Sequence, residues 1–167
     1  MIYHTNINSP IGILGLVSNG DSLLRIYLPN ENISVSKLQQ QYPDKDITED
    51  KLEFKETIDQ LTEYFDGQRK VFTIKTKVES SSFYKKALLE VAKVQYGETS
   101  SYSKIARKLN NPKATRAVGT ANARNPLPII IPCHRIIAKN GKLGGYAGGL
   151  KMKKYLINFE RENVNLD

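Results

Sequence analysis

The most informative stretch of the chain is residues 125–137, which read Asn125-Pro126-Leu127-Pro128-Ile129-Ile130-Ile131-Pro132-Cys133-His134-Arg135-Ile136-Ile137. Three prolines within seven residues exclude a helix there and stiffen an extended path. The segment then presents Cys133, the only thiol of the chain, followed directly by His134 and Arg135. A neighbouring cation or histidine base lowers the pKa of a thiol and favours the reactive thiolate. The segment predicts a reactive cysteine, and the alternative is a buried, inert thiol behind three isoleucines.

His134 is the candidate base, because His4 is the only other histidine. Adjacent side chains of an extended segment point to opposite sides, so a bridging water would be needed to carry a proton between Cys133 and His134. A histidine base is usually oriented by a third group. Of the few acids after residue 98, Glu160 is best placed, at the end of a regular helix, whereas Asp167 is the chain terminus. The alternative for Glu160 is a solvated carboxylate at a helix end.

Length and composition restrict the class of protein. The 167 residues, 40% hydrophobic and 25% charged, suit one domain or one domain with a small companion. One cysteine excludes a disulfide scaffold, and one cysteine with two histidines argues against a structural zinc site. The sequence has no apolar run near the ~18 residues that span a bilayer and no signal peptide, so we expect a soluble, cytoplasmic protein.

The basic charge is concentrated in one part of the chain. The net charge is +8, yet residues 1–98 carry 12 Lys/Arg against 14 Asp/Glu. Residues 99–159 carry no acid and 12 basic residues: Lys104, Arg107, Lys108, Lys113, Arg116, Arg124, Arg135, Lys139, Lys142, Lys151, Lys153 and Lys154. This pattern favours a surface that binds nucleic acid. A membrane surface is less favoured, because the basic residues do not form one amphipathic helix.

The first 75 residues predict a small α/β domain, with residues 75–80 as the join. Three short apolar runs separated by turn residues predict strands at 2–6, 11–17 and 23–28. Residues 29–48 are polar and predict a loop with a short helix near 33–42. The apolar spacing at 50–66 predicts a helix, and residues 71–74 predict a fourth strand.

The rest of the chain predicts a mainly helical domain. The predicted helices are 81–97, 102–109, 113–123 and 150–159, with Ser100 or Ser101 as the N-cap of the second and Asn111 as a candidate cap of the third. The second and third helices, joined by a tight turn, have the shape of a helix-turn-helix. Residues 141–149 hold five of the eleven glycines, which allows the backbone to approach a ligand closely.

These motifs resemble the O6-alkylguanine-DNA alkyltransferase family (methylated-DNA–protein-cysteine methyltransferases). The resemblance covers roughly residues 81–162 and rests on four segments: Tyr102–Ala106, Asn111–Gly119, Asn125–Ile137 and Gly144–Gly149. It implies an α/β (α+β) fold in two domains. Residues 1–78 would form a small, ribonuclease-H-like domain with an antiparallel β-sheet and a helix. Residues 79–167 would form a helical, winged helix-turn-helix-like domain that carries the DNA-binding surface and the alkyl acceptor.

The resemblance also implies direct reversal of DNA damage. Cys133 would accept the alkyl group from O6 of guanine, with O4-alkylthymine as a further candidate substrate. The thiol would pass its proton through a water to His134, which Glu160 holds. Tyr102 would donate a hydrogen bond to the ring nitrogen of the base as negative charge develops.

The remaining assignments concern the DNA and the base pocket. Arg116 would fill the gap left by a flipped nucleotide. The other DNA-binding candidates are Thr115, Ala117, Thr120, Ala121, Asn122, Arg124 and Tyr102. The pocket candidates are Tyr146, Ala147, Ile136, Asn125 and Arg135. Asn125 would also brace the turn that joins the second helix of the helix-turn-helix to the active-site strand. Ala147 is a serine in many relatives, so one side-chain hydrogen bond to the alkylated oxygen is missing here.

The expected protein is therefore an enzyme without cofactor or metal that acts once, as a monomer, on double-stranded DNA containing alkylated bases. An S-alkyl cysteine has no good leaving group, and the chain has no second cysteine to resolve it. Two alternatives remain open from the residues alone. One is a helix-turn-helix regulator with an inert cysteine, and the other is a cysteine hydrolase that turns over.

Overall fold

The N-terminal strands form where short apolar runs alternate with turn residues. A computed structural model describes residues 1–165, and these fall into two compact units, Met1–Val78 and the residues from Glu79 onward. Strands β1 (Ile2–Ser9), β2 (Gly12–Ser18) and β3 (Leu23–Tyr27) pair in antiparallel fashion. Gly12 lies at the β1–β2 turn with φ +116°, a conformation that favours glycine. The three strands predicted from the sequence are confirmed.

A fourth strand does exist, but at a different place from the predicted one. β4 (Ile47–Glu49) lies in the stretch predicted as loop and pairs with β1 in parallel, which gives the sheet order β3-β2-β1-β4. The predicted strand at 71–74 is wrong. Gln60, which is buried, donates its side-chain N–H to the Thr73 hydroxyl and accepts the Thr73 backbone N–H at 2.9 Å. The Thr73 N–H therefore bonds to Gln60 and is not available for a hydrogen bond to a neighbouring strand.

Two helices complete the first unit. Helix α1 (Val35–Gln41) is capped by Ser34, whose hydroxyl accepts the Lys37 N–H. Helix α2 (Lys55–Phe65) follows a 3₁₀ turn at Leu52–Phe54. One core cluster of this unit consists of buried residues from the sheet and α1: Ile2, Val17, Leu24, Tyr27 and Leu38. Ile47 of β4 packs against it, so the register of the short parallel strand is fixed by the core.

The second unit is mainly helical. It contains α3 (Ser82–Val91), β5 (Ser100–Ser101), α4 (Tyr102–Lys108), α5 (Thr115–Ala123), β6 (Ile136–Ile137) and α6 (Leu150–Asn163). Helix α3 ends six residues earlier than predicted and α6 ends four residues later. Ser101 caps α4 by accepting the Lys104 N–H, whereas the side chain of Asn111 makes no capping bond at the 3₁₀ turn Pro112–Ala114. β5 and β6 form a short parallel pair.

Helices α4 and α5 pack against each other as a helix-turn-helix, and α5 also packs on α3. The α/β fold class is thereby confirmed, with the correction that the N-terminal sheet is mixed, since β4 runs parallel to β1. No helix within residues 1–165 is long and apolar enough to cross a membrane.

The Gln60 contact leads to a prediction on stability. We expect Gln60→Ala to lower the free energy of unfolding by about 1–3 kcal/mol, because it leaves the Thr73 N–H without its partner. Gln68→Ala is the matched control, since Gln68 is exposed, and its effect should stay within about 0.5 kcal/mol. Urea titration of both variants measures the difference. Equal stability of the two would mean that the 71–75 segment is held by other contacts.

Candidate active site

A cavity of about 400 Å³ opens in the second unit beside the only cysteine. It is lined by residues from α4, from α5, from the segment that carries the thiol and from the glycine-rich loop: Tyr102, Thr115, Arg116, Gly119, Asn122, Ala123, Cys133, Gly145, Tyr146 and Ala147. Cys133 is 3% exposed, so its side chain forms part of the cavity wall while the rest of the residue is buried. A cavity of this size is in the range of small-molecule binding sites.

The segment before the thiol is held by the side chain of Asn125. Its Nδ2 donates to the Ile131 carbonyl at 2.8 Å, and its Oδ1 accepts the Leu127 N–H at 3.0 Å. Ile129 has φ +75°, which is unusual for a β-branched residue and therefore needs such bracing. Asn125 also lowers the pKa of the Cys133 thiol by a hydrogen bond. Asn125 therefore braces the acceptor loop, the role that the resemblance implies, and is not among the residues that line the cavity.

Cys133, His134 and Arg135 form one 3₁₀ turn, so the prediction of an extended path is wrong at this point. The turn closes through the Arg135 N–H, which bonds to the Pro132 carbonyl at 2.9 Å. The side chains of His134 and Arg135 both reach Glu160 on α6. Consecutive residues can share one partner here because the backbone turns, which an extended chain would not allow.

Glu160 is a fully buried carboxylate, so the alternative of a solvated carboxylate at a helix end is excluded. His134 Nε2 lies 2.6 Å from Oε1, Arg135 Nε donates to Oε2 at 2.8 Å, and Arg135 Nη2 donates to Oε1 at 3.0 Å. The Gly97 N–H adds a bond to Oε2 at 3.2 Å. Arg135, predicted as a pocket residue, is thus an ion-pair partner of Glu160. The other acid considered at the C-terminus, Asp167, lies outside the described residues.

The protonation states follow from burial and from these contacts. Burial raises the pKa of the Cys133 thiol to about 11, although the Asn125 hydrogen bond and the Lys153 charge act in the opposite direction. Burial lowers the pKa of His134. Burial alone would raise the pKa of Glu160, but the hydrogen bonds from His134 and Arg135 and the charge of Arg135 hold it at about 2. The resting site therefore pairs a thiol with a neutral imidazole.

This result corrects the expectation that adjacent cations lower the pKa of the thiol. Arg135 is committed to Glu160, and desolvation dominates at Cys133. With a pKa of about 11, only ~1 molecule in 10⁴ carries the thiolate at pH 7. The thiol needs a base, and His134 Nδ1 is a buried ring nitrogen without a hydrogen-bond partner among the described residues.

Tyr102 stands at the N-terminus of α4 on the wall of the cavity. Its hydroxyl bonds to the Gly145 carbonyl at 3.4 Å and lies 3.4 Å from the Lys153 amine. Burial raises the pKa of Tyr102, so its hydroxyl keeps its proton and stays a donor. A Cβ at Gly144 would come within 2.9 Å of this hydroxyl, which explains why a glycine faces it.

The glycine-rich loop is fixed to the site by Lys153, a residue that the sequence analysis did not single out. Lys153 is completely buried on α6, and its amine donates to the Ile136 and Gly145 carbonyls. Burial lowers its pKa to about 8, against the pull of Cys133 in the other direction. The sequence feature that could have identified Lys153 is its spacing, because Lys153 lies on the buried face of α6 with Leu156, Ile157 and Glu160.

The predicted DNA-binding residues on α5 divide into exposed and buried ones. Arg116 and Arg124 are exposed, and Thr115, Ala117 and Thr120 are half-buried. Ala121 is buried, and so is Asn122, whose Nδ2 donates to the Cys133 carbonyl at 3.1 Å. These last two belong to the packed face of α5, although Asn122 also lines the cavity. Asn122 links the helix to the acceptor residue.

The predicted pocket residues divide in the same way. Tyr146 and Ala147 line the cavity, whereas Ile136 is completely buried and supports the site through its carbonyl. The Tyr146 hydroxyl is buried without a partner among the described residues, and burial raises its pKa, so it stays protonated. Within residues 1–165 no cluster of three or more His, Cys, Asp or Glu could hold a metal ion.

Comparison with known proteins identifies the family of this chain. Residues 82–162 match the family described as the DNA-binding domain of 6-O-methylguanine DNA methyltransferase, and residues 2–78 match its ribonuclease-like domain. The chain is 40% identical over 159 residues to the methylated-DNA–protein-cysteine methyltransferase of Methanosarcina acetivorans, covering 95% of this chain and 98% of that one. It is 40% identical over 162 residues to the constitutive enzyme of Bacillus subtilis, with 96% of each chain covered.

A solved structure gives the same result for the fold. The structure described as Mycobacterium tuberculosis OGT in complex with DNA superposes with a TM-score of 0.87 at 34% identity, over 96% of this chain and 94% of that chain. Sequence and structure thus agree over nearly the whole length, including the segments on which the first resemblance rested. The chain belongs to the methylated-DNA–protein-cysteine methyltransferase family.

Proposed function

We propose that the protein repairs DNA directly by transferring the alkyl group of O6-alkylguanine to Cys133. The observation that carries this proposal is the placement of the thiol. It lies in the wall of a cavity of about 400 Å³, next in sequence to a neutral histidine whose Nε2 is held by Glu160 and whose Nδ1 is unpartnered among the described residues. Nδ1 is therefore available to take the proton of the thiol.

The transfer is a displacement at the alkyl carbon. The sulfur forms a bond to that carbon, the bond between carbon and O6 breaks, and its electron pair stays on the guanine. The proton of the thiol passes to His134 Nδ1, through a water in the relay that the family resemblance implies. Glu160 stabilises the imidazolium that results, because its carboxylate lies 2.6 Å from Nε2.

Tyr102 acts at the other end of the reaction. The leaving group is the guanine anion, and a hydrogen bond to its ring nitrogen stabilises the charge that develops. The Tyr102 hydroxyl lies on the cavity wall, remains protonated, and is held in place by Gly145 and Lys153. The products are a thioether at Cys133 and an unmodified guanine after protonation.

Access to the base requires that the nucleotide leaves the helical stack. Arg116 lies at the start of α5 on the rim of the cavity and is exposed, so it can enter the gap left by the flipped nucleotide. Except for Arg135 and Lys153, the basic residues of the acid-free stretch are exposed and can contact phosphates. A cytoplasmic location and a monomeric state stay predictions.

The first test concerns stoichiometry. Incubation with an excess of duplex oligonucleotide containing O6-methylguanine should add one methyl group per protein molecule, on Cys133, and then stop. The thioether has no good leaving group, and the chain contains no second cysteine. Intact-mass and peptide mass spectrometry measure the number and place of the added groups. Repair of many oligonucleotides per protein molecule would contradict single use.

Cys133→Ser is the control for this test. It should bind the same duplex with unchanged affinity and add no methyl group, since a serine hydroxyl is a much weaker nucleophile. Methyl transfer by this variant would mean that another residue is the acceptor.

The second test separates capture of the lesion from the chemistry. Arg116→Ala should slow reaction with the duplex lesion about tenfold or more, because filling the gap offsets part of an unstacking cost of a few kcal/mol. Its reaction with free O6-benzylguanine should be nearly unchanged. Arg107→Ala removes an exposed cation of α4 as a control for general charge and should have a smaller effect on the duplex. Equal losses of Arg116→Ala on both substrates would indicate a defect of the fold.

The third test concerns the position of Tyr102. Gly144→Ala should slow transfer from free O6-benzylguanine about 10- to 100-fold, because the new Cβ displaces the Tyr102 hydroxyl. Gly141→Ala is the matched control: Gly141 has a similar φ of +81°, but a Cβ there meets no atom within 4 Å. Both variants should lose about 1 kcal/mol of stability through backbone strain. If Gly144→Ala and Gly141→Ala react with O6-benzylguanine at the same rate, the contact between residue 144 and Tyr102 has no effect on the rate of transfer.

A further inference from the structure

Glu160 is shared between His134 and Arg135, and the way in which it is shared is specific. Arg135 uses two nitrogens of its guanidinium on the two carboxylate oxygens, at 2.8 and 3.0 Å, and its Nη1 donates to the Val94 carbonyl at 2.6 Å. His134 contacts Oε1 at 2.6 Å. Arg135 is 6% exposed, Glu160 1% and His134 not at all. Neither the cavity nor the DNA-binding surface explains why an arginine is buried here.

We propose that Arg135 is a positioning residue that keeps His134 neutral and its Nδ1 free, and this rests on the proposed role of His134 as the base. By occupying both oxygens of Glu160, the guanidinium neutralises the charge that would otherwise draw a proton onto the imidazole. The carboxylate then orients the histidine, but its negative charge does not draw a proton onto the imidazole.

The argument follows from where an added proton can go. Because Glu160 is ionised, its contact with His134 Nε2 at 2.6 Å requires that Nε2 carry the hydrogen. The pair can then accept one more proton only at Nδ1, either as imidazolium or after a shift of the Nε2 proton to the carboxylate. In each case Nδ1 becomes a donor and can no longer accept the proton of the thiol. A buried His–Glu pair favours this inactive form, because the two opposite charges attract each other strongly where water is excluded.

The other ionisable groups near His134 have the following effects. On the turn itself are Cys133, neutral at rest, and Arg135; on α6 are Glu160 and Lys153. Tyr96, from the segment after α3, is buried, has its ring 5.6 Å from the Arg135 guanidinium and has a pKa raised to about 12 by burial and by Glu160. The charges of Arg135 and Lys153 lower the pKa of His134, whereas Glu160 raises it. Arg135 is the cation that contacts Glu160 directly.

The fork of the guanidinium matters as well as its charge. Three different nitrogens of Arg135 are engaged, which fixes the plane of the carboxylate and therefore the direction in which His134 Nε2 points. A lysine at this position would retain the charge but bind as a single point. Charge and geometry can therefore be separated by substitution.

The experiment compares Arg135→Met, which removes the charge, with Arg135→Lys, which retains it. Two-dimensional ¹H–¹⁵N spectra of the imidazoles follow the titration, and the chain has only His4 and His134 to assign. His4→Gln removes one set of signals and so identifies the other. The rate of methyl transfer from duplex O6-methylguanine is measured on the same proteins between pH 5.5 and pH 9.

In the wild type, His134 should be neutral with its proton on Nε2 at pH 7, and its pKa should lie below 6.5. A base of this kind is lost as the pH falls through that pKa, so the rate should hold down to about pH 6.5 and then decline. Arg135→Met should raise the pKa of His134 by about one unit or more. For a rise of one unit, its rate relative to wild type should then be roughly three- to eightfold lower at pH 6 than at pH 9. In Arg135→Lys, the pKa of His134 should be close to that of the wild type, but the rate of methyl transfer should stay below the wild-type rate.

The ratio of variant to wild type is used because Lys153, with a pKa of about 8, titrates in both proteins. A rate for Arg135→Met that is reduced equally at every pH, with an unchanged titration of His134, would overturn the proposal and leave Arg135 a structural residue. If Arg135→Met does not fold, the spectra of Arg135→Lys and of the wild type test the proposal. A protonated His134 at pH 7 in the wild type would refute the proposal that Arg135 keeps it neutral. Mass spectrometry of the wild type tests the proposed function separately, because the imidazole spectra do not depend on methyl transfer.

Discussion

The site depends on one buried negative charge, the carboxylate of Glu160. Burying an ionised carboxylate is costly unless charged and polar donors surround it, and here His134, Arg135 and the Gly97 N–H all bond to it. These donors come from the acceptor turn and from the turn after α3, while Glu160 itself comes from α6. Because each of these donors satisfies part of a buried carboxylate, Glu160 fixes the relative positions of three segments that are far apart in the sequence.

A second buried charge, the Lys153 amine, also joins segments that are far apart in the sequence. It joins α6 to β6 and to the glycine-rich loop through two carbonyls, and it lies beside the Tyr102 hydroxyl. In the proposed mechanism, one helix thus supplies both the carboxylate that supports proton removal from sulfur and the ammonium that holds Tyr102, the hydrogen-bond donor to the leaving base. Since Lys153 and Glu160 are seven residues apart, two turns of α6 set the spacing of the two ends.

The sequence identified Cys133 and His134 because their residue types are rare in this chain, and Tyr102 and Glu160 because of where they stand in it, but it failed where partners had to be known. Cys133, His134, Tyr102 and Glu160 could be selected from the local motifs and the family resemblance. The partner of Arg135, the burial of Asn122 and the role of Lys153 depend on which helix packs against which turn, which no local pattern contains. The strands show the same limit. β4 was missed because three residues carry almost no periodic signal and because their pairing with β1 is non-local. Residues 71–74 have the composition of a strand, but the Thr73 N–H that a strand pairing would use bonds to Gln60 instead.

The buried network also bears on the alternative of a DNA-binding regulator with an inert cysteine. Such a protein needs the exposed charges and the helix-turn-helix, but it gains nothing from an ionised carboxylate, an arginine and a lysine buried around a cavity. Replacing buried ion pairs by apolar side chains of similar volume is often neutral or stabilising, so their presence is not explained by stability. A cysteine hydrolase would use the same base but has no need of the acid-free, exposed basic stretch around the cavity. Alkyl transfer from DNA uses both features, because the same structure must capture an anionic polymer and generate a thiolate from a thiol whose pKa is about 11.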